Sequence, residues 1–296
     1  MRRLLGIALM PFFGLLLITI SACLMSYGIA LALDEPSLLR KTMIRLSQAM
    51  LLLSIFPVSR WLNLKGADLG YAPLSHMLKQ FAHGFLLSLL TLLPIFLVLQ
   101  LLGVHVVDPT KDWVLIGLLK KIVEAFVLAM LIAIVEESVF RGLLLSSLKN
   151  DLSVFAAIFV SAIYYAALHF LTTKSTVPAS EFNLASAFLL LGEAYTNVFS
   201  MKEPTAFLAL LAVGLFLGHL RTRNPRNLGL CMGCHAGWVW QIKMSKTLCY
   251  VDFNSPYAFL VSHYDGVIGL LVMGWLLLGV LFLRPSFKSH SATVMR

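Results

Sequence analysis

The sequence predicts an all-α polytopic membrane protein with about eight transmembrane helices, and three observations lead to this prediction. Of its 296 residues, 59% are hydrophobic and only 12% are charged. Soluble domains, by comparison, average roughly 45–50% apolar and about 25% charged residues. The mean hydropathy of +0.87 is likewise that of an apolar chain. Apolar runs of about 20 residues, the length that crosses a bilayer, recur along the chain. We expect a single integral membrane domain over residues 1–296, because no soluble domain, internal repeat or low-complexity tail is evident.

The apolar runs give the predicted spans in chain order. They lie near residues 4–33, 42–59, 81–104, 113–148, 153–171, 204–220, 228–243 and 265–283. The first run follows a basic flank, but it is too long for the apolar region of a signal peptide, which has about 7–15 residues. The fourth run would reach about 54 Å as one helix, against a hydrocarbon core of about 30 Å. Its first part, from Trp113 to Lys121, is therefore expected to lie in the interface, with the span beginning near Ile122.

The basic residues predict the topology. They lie in short clusters between apolar runs, as in cytoplasmic loops, so the net charge of +9 does not indicate nucleic-acid binding. A ninth apolar stretch, 184–199, is short and contains Glu193. If it does not cross the membrane, most basic clusters share one face: Arg2/Arg3, Arg60/Lys65/Lys79, Lys149, Arg221/Arg223/Arg226 and Arg284/Lys288/Arg296. We therefore expect eight spans, both termini in the cytoplasm, an external or interfacial excursion over 172–203, and a bacterial inner membrane.

Two adjacent carboxylates, Glu136 and Glu137, end an apolar run and are followed by Arg141. An acidic residue at the centre of a membrane helix costs about 2.5 to 3.5 kcal/mol, so such residues are kept mainly where they pair or have a function. Glu137 and Arg141 are four residues apart and share one helix face, with the acid first. Glu136 points about 100° away and has no basic partner in its own helix. The spacing thus predicts a structural ion pair at Glu137 and a general base at Glu136.

His169 is the expected partner of Glu136. The two residues are equally distant from the turn around residues 150–153, so in an antiparallel helix pair they lie at one level, about 25 Å from that turn. A carboxylate and an imidazole at one depth can deprotonate a water between them, or can form a buried ion pair that joins the helices. His235, on the seventh span, is a third polar group for the same cavity, between the fourth, fifth and seventh spans.

These residues resemble the three motifs of the CAAX protease and bacteriocin-processing (CPBP) family of intramembrane endopeptidases. The motif residues are Glu136-Glu137-x-x-x-Arg141, Tyr165-x-x-x-His169 and, on a later helix, His235. The resemblance covers a core of about residues 113–243. It implies a metal-free glutamate-type protease without a cofactor, in which Glu136 and His169 activate the hydrolytic water and His235 helps to hold the oxyanion. It also implies supporting roles for Glu137, Arg141 and Tyr165, and a membrane-embedded or membrane-associated polypeptide as substrate.

The third motif is incomplete in this chain. The family usually has a polar residue four positions after the histidine, where this sequence has Val239. An oxyanion donor contributes about 2.7–4 kcal/mol in a transition state, and valine cannot donate. Either His235 acts alone or another donor replaces the missing group, and Trp238 is the candidate from the sequence because its indole N–H lies three residues from His235. A packing role for Trp238 is equally compatible with the sequence.

The sequence is also compatible with three other functions. Cys231-x-x-Cys234-His235 has the spacing of a haem c attachment site, although it lies in an apolar segment. Glu136, His169 and His235 could instead bind a catalytic zinc ion, because a carboxylate and two imidazoles leave one position for water. A non-catalytic protein that binds or transports a membrane peptide could also line a cavity with these groups. The sequence does not predict the oligomeric state.

Overall fold

The computed structural model describes residues 2–111, 114–200 and 202–282, and this part of the chain is predominantly α-helical. The helices are α1 (Arg2–Ala32), α2 (Leu38–Leu53), α3 (Ile55–Trp61), α4 (Leu74–Leu101), α5 (Leu115–Glu137), α6 (Leu145–Leu148), α7 (Val154–Leu168), α8 (Leu184–Phe199), α9 (Pro204–Thr222), α10 (Leu228–Leu248) and α11 (Leu270–Phe282). A π-helical segment, Ser138–Leu144, joins α5 to α6. Two short strands, β1 (His105–Val107) and β2 (Cys249–Val251), pair antiparallel.

Several helices have the length, apolarity and exposure of membrane spans. Within the described ranges, four stretches are long and apolar enough to cross a bilayer: Leu4–Ala32, Leu38–Trp61, Leu74–Leu101 and Pro204–Thr222. Only 17% of the most apolar window is buried in the first stretch and 11% in the second. Large apolar faces without protein partners are rare on soluble proteins but are expected where lipid covers them. The protein is therefore an all-α integral membrane protein.

The central helix pair consists of α4 and α10, which run parallel. Gly233 of α10 lies so close to α4 that a Cβ there would overlap the Phe81 carbonyl oxygen. A Cβ on Gly84 of α4 would likewise overlap the Leu230 carbonyl oxygen. Small residues allow helix backbones to approach in this way, and α5 packs against the same helix α10.

Helices α7 and α9 form a second close pair, which is antiparallel. A Cβ on Gly214 would lie 2.7 Å from the Cβ of Ala162, and one on Gly218 would lie 2.7 Å from the Ile158 Cγ2. The Ser153 side chain caps α7 by accepting a hydrogen bond from the Ala156 N–H at 3.3 Å. This cap ends the turn after α6 and begins α7, which packs against α9 and the π-helical segment.

Helices α1, α2 and α8 form a peripheral group with its own apolar cluster. The cluster contains Cys23, Ala30, Leu39, Met43, Ala187, Leu190 and Leu191. The Thr19 and Tyr195 hydroxyls are hydrogen-bonded at 2.9 Å between α1 and α8. An Asn183–Ser186 capping box begins α8, as expected for an Asn-x-x-Ser sequence before an apolar run.

The structure differs from the predicted spans in several places. Helix α4 begins at Leu74 rather than near residue 81, and α10 ends at Leu248 rather than near residue 243. The stretch predicted as 42–59 is divided into α2 and α3 at Ser54. The stretch predicted as one helix over 113–148 consists of α5, the π-helical segment and α6. Trp113 lies outside the described residues. The last span was predicted to begin at 265, but α11 begins at Leu270, because the Asp265 carboxylate accepts from the Val267 and Ile268 N–H groups and closes a turn. The Arg284, Lys288 and Arg296 cluster also lies outside the described residues.

Candidate functional site

Glu137 lies at the centre of a buried polar bridge between α5, the π-helical segment and α10. Its Oε1 atom accepts from Arg141 Nη1 at 3.1 Å and from His235 Nδ1 at 2.8 Å. Glu137 is 0% exposed and Arg141 only 1%. The predicted ion pair between Glu137 and Arg141 is confirmed in its geometry. Its second function, orienting His235, could not be predicted from spacing along one helix.

Glu136 lies near the other ring nitrogen of His235 and near a second imidazole, His169. Its Oε2 atom lies 3.9 Å from His169 Nε2 and 3.8 Å from His235 Nε2. These separations exceed the usual 2.7–3.2 Å range of direct N–H···O hydrogen bonds. Oε2 is buried and has no hydrogen-bond partner among the described residues. The structure thus brings together the three residues predicted as catalytic, from α5, the C-terminal end of α7 and α10.

The hydrogen bonds of the two imidazoles fix their tautomers. His169 Nδ1 lies 2.7 Å from the Tyr165 carbonyl oxygen, which can only accept, so Nδ1 carries the proton. His235 Nδ1 donates to the Glu137 carboxylate by the same reasoning. In the neutral imidazoles both Nε2 atoms are therefore hydrogen-bond acceptors, and both are directed at Glu136. This arrangement suits groups that receive a proton.

The π-helical segment begins immediately after the two carboxylates. The Tyr71 hydroxyl donates to Ser138 Oγ at 2.7 Å, and Ser138 Oγ donates to the Ile134 carbonyl at 2.6 Å. Single π-helical turns are rare and occur frequently at functional sites, because they change the direction of side chains relative to a regular helix. Here the segment follows the carboxylates and carries Arg141 into the protein interior.

Tyr165 packs between the charged groups of the site. The Arg141 guanidinium carbon lies 4.2 Å from the centre of the Tyr165 ring, a cation–π distance. The His169 ring centre is 4.5 Å away, and Tyr165 is 2% exposed. Tyr165 therefore buttresses both Arg141 and His169, in agreement with its predicted supporting position.

The three predicted catalytic residues line a cavity of about 450 Å³. Its walls come from α4, α5, α7, α9, α10, α11 and the loop before α11. The lining is mostly apolar. Its polar or charged members are Thr91, Glu136, Tyr165, His169, His235, Trp238, Lys243, Lys246, Tyr264 and Asp265.

Trp238 lines this cavity, but its indole N–H is already used. Nε1 donates to the Thr91 hydroxyl at 2.8 Å, which ties α10 to α4. Thr91 in turn donates to the Leu87 carbonyl at 2.9 Å. The proposed replacement of the missing oxyanion donor by Trp238 is therefore corrected: its N–H points to α4, and the packing role accounts for it. Val239 also lines the cavity and offers no donor.

Sequence reasoning missed five polar residues of the cavity wall: Thr91, Lys243, Lys246, Tyr264 and Asp265. The last two lie in the loop 262–269, at the predicted start of the last span. The Asp-Gly pair at 265–266 is a turn signal that could have placed this loop. Nothing in the sequence spacing, however, relates the loop to Glu136.

The cysteine string does not fit a haem. Cys231 and Cys234 are each 0% exposed, and the Cys231 thiol donates to the Leu217 carbonyl at 3.5 Å. Their helix packs too closely on α4 and α9 for a porphyrin to reach either sulfur. For metals, no group of three or more His, Cys, Asp or Glu residues within the described ranges has an arrangement that could hold an ion.

An α-helical membrane protein whose carboxylates and imidazoles meet in a cavity belongs to the class of candidate membrane hydrolases. Residues 118–241 match the family model described as Rce1-like, type II CAAX prenyl endopeptidase. This match agrees with the resemblance to the CPBP family. It begins in α5, ends in α10 and includes every predicted site residue. No curated protein and no solved structure matches the chain in the corresponding comparisons.

Proposed function

We propose that the protein is a glutamate-type, metal-independent endopeptidase that hydrolyses a peptide bond in or near the bilayer. The observation that carries this proposal is the position of Glu136 Oε2, at 3.9 and 3.8 Å from two imidazole nitrogens whose tautomers make them acceptors. A water molecule fits this geometry by donating to the carboxylate and to one imidazole at about 2.8 Å. The family match supports the protease class.

In the proposed reaction Glu136 acts as general base with His169. The water oxygen attacks the scissile carbonyl carbon while one of its protons passes to Glu136, and a tetrahedral oxyanion forms. Collapse of this intermediate breaks the C–N bond, and the proton held by Glu136 or His169 moves to the leaving nitrogen. The products are a carboxylate and an amine. His235, oriented by Glu137, faces the same carboxylate and keeps it aligned.

The surroundings of the site suit a substrate that comes from the membrane. A peptide bond in hydrocarbon is shielded from water, so the substrate must enter a cavity that admits water and holds polar groups. The substrate must also be extended there, because the carbonyls of a helix are already hydrogen-bonded. We propose that the cavity between α5, α7 and α10 provides this place. The name of the matching family, a CAAX prenyl endopeptidase, makes a farnesylated CAAX peptide the first substrate to test.

We also propose that the chain crosses the membrane eight times, with α8 on the outer side and both termini in the cytoplasm of a bacterial inner membrane. The support is the distribution of basic residues described above, together with the Glu193 carboxylate within α8. In this topology the turn before α7 and the end of α9 are cytoplasmic.

The central experiment compares two glutamates of α5. Purified wild-type, Glu136→Gln and Glu124→Gln proteins are incubated with a farnesylated CAAX peptide, and products are measured by mass spectrometry. Glu124 is the matched control because it lies on the same helix, is 52% exposed and pairs only with surface lysines. We expect Glu136→Gln to abolish turnover while remaining folded, and Glu124→Gln to retain it.

Two results would contradict the proposal. Wild-type turnover by Glu136→Gln would exclude Glu136 as the base. Binding of membrane peptides by the wild type, without any cleavage of this peptide or of membrane proteins compared by proteomics with Glu136→Ala, would favour the non-catalytic alternative.

The metal-independent mechanism has its own test. Chelators should leave turnover intact, and elemental analysis should find far less than one zinc per purified chain. Stoichiometric zinc that is lost and restored together with activity would instead support a zinc site formed by Glu136, His169 and His235.

The topology is tested by cysteine labelling. The protein is first freed of its partly exposed thiol by Cys249→Ser, since the other three cysteines are buried. An impermeant reagent applied from outside should then label cysteines placed at Thr176 or Ser180, which are exposed, but not one at Arg223. Labelling at Arg223 from outside would mean that residues 184–199 cross the membrane.

A further inference from the structure

The polar groups around Glu136 leave an open question about the oxyanion. The proposed hydrolysis places a negative charge on the former carbonyl oxygen, and a hydrogen-bond donor must meet it. Four cavity-lining side chains have N–H or O–H groups that already donate elsewhere. They are His169 to Tyr165, His235 to Glu137, Trp238 to Thr91, and Thr91 to Leu87.

The remaining donors on the cavity wall are two phenols and two ammonium groups. Lys243 and Lys246 lie eight and eleven residues beyond His235 on α10, about 12 and 16 Å along the helix axis. This places them near the end of the cavity and away from Glu136. The Tyr165 ring is fixed between Arg141 and His169 and is 2% exposed. Tyr264 is 38% exposed and faces the same cavity from the loop before α11.

The loop that carries Tyr264 is held in place by hydrogen bonds of the residues that follow Tyr264 and by a contact of its ring. Asp265 Oδ1 accepts from the N–H groups of Val267 and Ile268 at 2.9 and 2.7 Å. Gly266 has a φ of +78°, a conformation that favours glycine, and its carbonyl accepts from His105 Nε2 at 2.8 Å. The Phe170 ring packs against the Tyr264 ring, with 5.4 Å between their centres. Transition-state donors are effective when they are oriented before the reaction, and this loop meets that condition.

The Tyr264 hydroxyl itself is available. It has no hydrogen-bond partner among the described residues. Burial, with smaller contributions from the carboxylates of Asp265 and Glu136, raises the pKa of Tyr264 to about 12. The phenol therefore keeps its proton at neutral pH and can donate it in a hydrogen bond.

We propose that Tyr264 is a further catalytic residue, whose hydroxyl donates to the oxyanion of the tetrahedral intermediate. This inference rests on the proposed hydrolysis at Glu136. The third motif lacks an oxyanion donor at Val239, and this inference assigns that role to Tyr264, which lies outside the family-matched residues. The donor thus comes from the loop before α11, and the base and imidazoles come from α5, α7 and α10.

The test is the kinetics of Tyr264→Phe with the farnesylated CAAX peptide. We expect kcat to fall about 10²- to 10³-fold with little change in KM, since the lost interaction forms only in the transition state. Tyr257→Phe is the matched control, because Tyr257 is 44% exposed and does not line the cavity, and it should retain the wild-type kcat. Thermal unfolding in detergent should be the same for all three proteins.

A second measurement does not depend on turnover. A peptide aldehyde, whose carbonyl adds water to give a tetrahedral gem-diol, should bind Tyr264→Phe about 10²-fold less tightly than wild type. In the Glu136→Gln background, by contrast, Tyr264→Phe should leave binding of the uncleaved peptide unchanged.

The outcomes separate this inference from the proposed function. If Glu136→Gln is inactive but Tyr264→Phe keeps the wild-type kcat and aldehyde affinity, the inference is wrong and the reaction assignment stands. The same holds if Tyr165→Phe shows the loss instead, because the donor is then on α7. If Glu136→Gln keeps the wild-type kcat, the proposed function fails before Tyr264 is considered.

Discussion

Glycines bring the helices around the predicted site into backbone contact, whereas the glycines of α1, in the peripheral group of α1, α2 and α8, touch no neighbouring helix. In the centre, Gly84 and Gly233 bring the backbones of α4 and α10 into contact. In the periphery, a Cβ on Gly14 or Gly28 of α1 would meet nothing within 4 Å. Lipid tails are as apolar as leucine, so peripheral helices gain little from close packing, while polar groups on separate helices meet only when the backbones approach.

The comparison also separates sequence similarity from structural role. The family match covers α8, a member of the peripheral group, but not α4, the closest neighbour of α10. Motifs define where the chemistry lies, and the helices that hold those motifs in place include some outside the matched stretch. Substitutions in the central helices and in the peripheral group test this contrast.

Gly233→Ala should prevent folding of the central bundle. The added Cβ would overlap the Phe81 carbonyl and neighbouring backbone of α4, which cannot move away as a flexible side chain could. We expect no monodisperse, active protein in detergent, as judged by size-exclusion chromatography and peptide cleavage. Gly28→Ala is the control and should be neutral or slightly stabilising, by up to about 1 kcal/mol. Equal behaviour of the two variants would remove the contrast between centre and periphery.

Glu137→Gln should have a smaller effect than Gly233→Ala but should still strongly destabilise the protein. It leaves Arg141 charged and buried without its carboxylate, a loss of about 3–5 kcal/mol for a buried pair. Residual turnover should remain, because a glutamine oxygen can still accept from His235 Nδ1. Thermal unfolding in detergent measures the first effect and peptide cleavage the second. In the double variant Glu137→Gln/Arg141→Met part of the stability should return. A folded but wholly inactive Glu137→Gln, beside an active Glu136→Gln, would reverse the roles of the two glutamates.

Tyr195→Phe should have the smallest effect. It removes the hydroxyl contact with Thr19 in the peripheral group, and interhelical hydrogen bonds in membrane proteins average about 0.6 kcal/mol. We expect a small decrease in unfolding temperature and unchanged peptide cleavage. Thr19→Val should give the same decrease, and the double variant should lose no more than either alone. A large loss of activity in Tyr195→Phe would show that the peripheral group is coupled to the site.

Much of the fold and part of the site could be predicted from local patterns. Apolar runs located the helices, because a bilayer demands a minimum apolar length whatever the tertiary structure. The pairing of Glu137 with Arg141 followed from the helical repeat, and the common level of Glu136 and His169 followed from counting residues around one turn.

Other features depended on contacts that no local pattern contains. The indole of Trp238 turns towards Thr91 on α4, and the His235 imidazole turns towards Glu137, because the rotation of α10 is fixed by its close contact with α4. The π-helical segment and the loop of Tyr264 likewise depend on partners distant in sequence, Tyr71 and His105.

Single segments were enough to predict a helical membrane protein, the pairing of Glu137 with Arg141, and the common depth of Glu136 and His169. Each of these follows from the rise and repeat of single helices and from the thickness of a bilayer. The contacts of His235 with both carboxylates, the hydrogen bond from the Trp238 indole to Thr91, and the position of Tyr264 on the cavity wall are visible only in the folded chain. The reason is that helix rotation and loop placement are set by packing between distant segments, which a helical repeat does not encode.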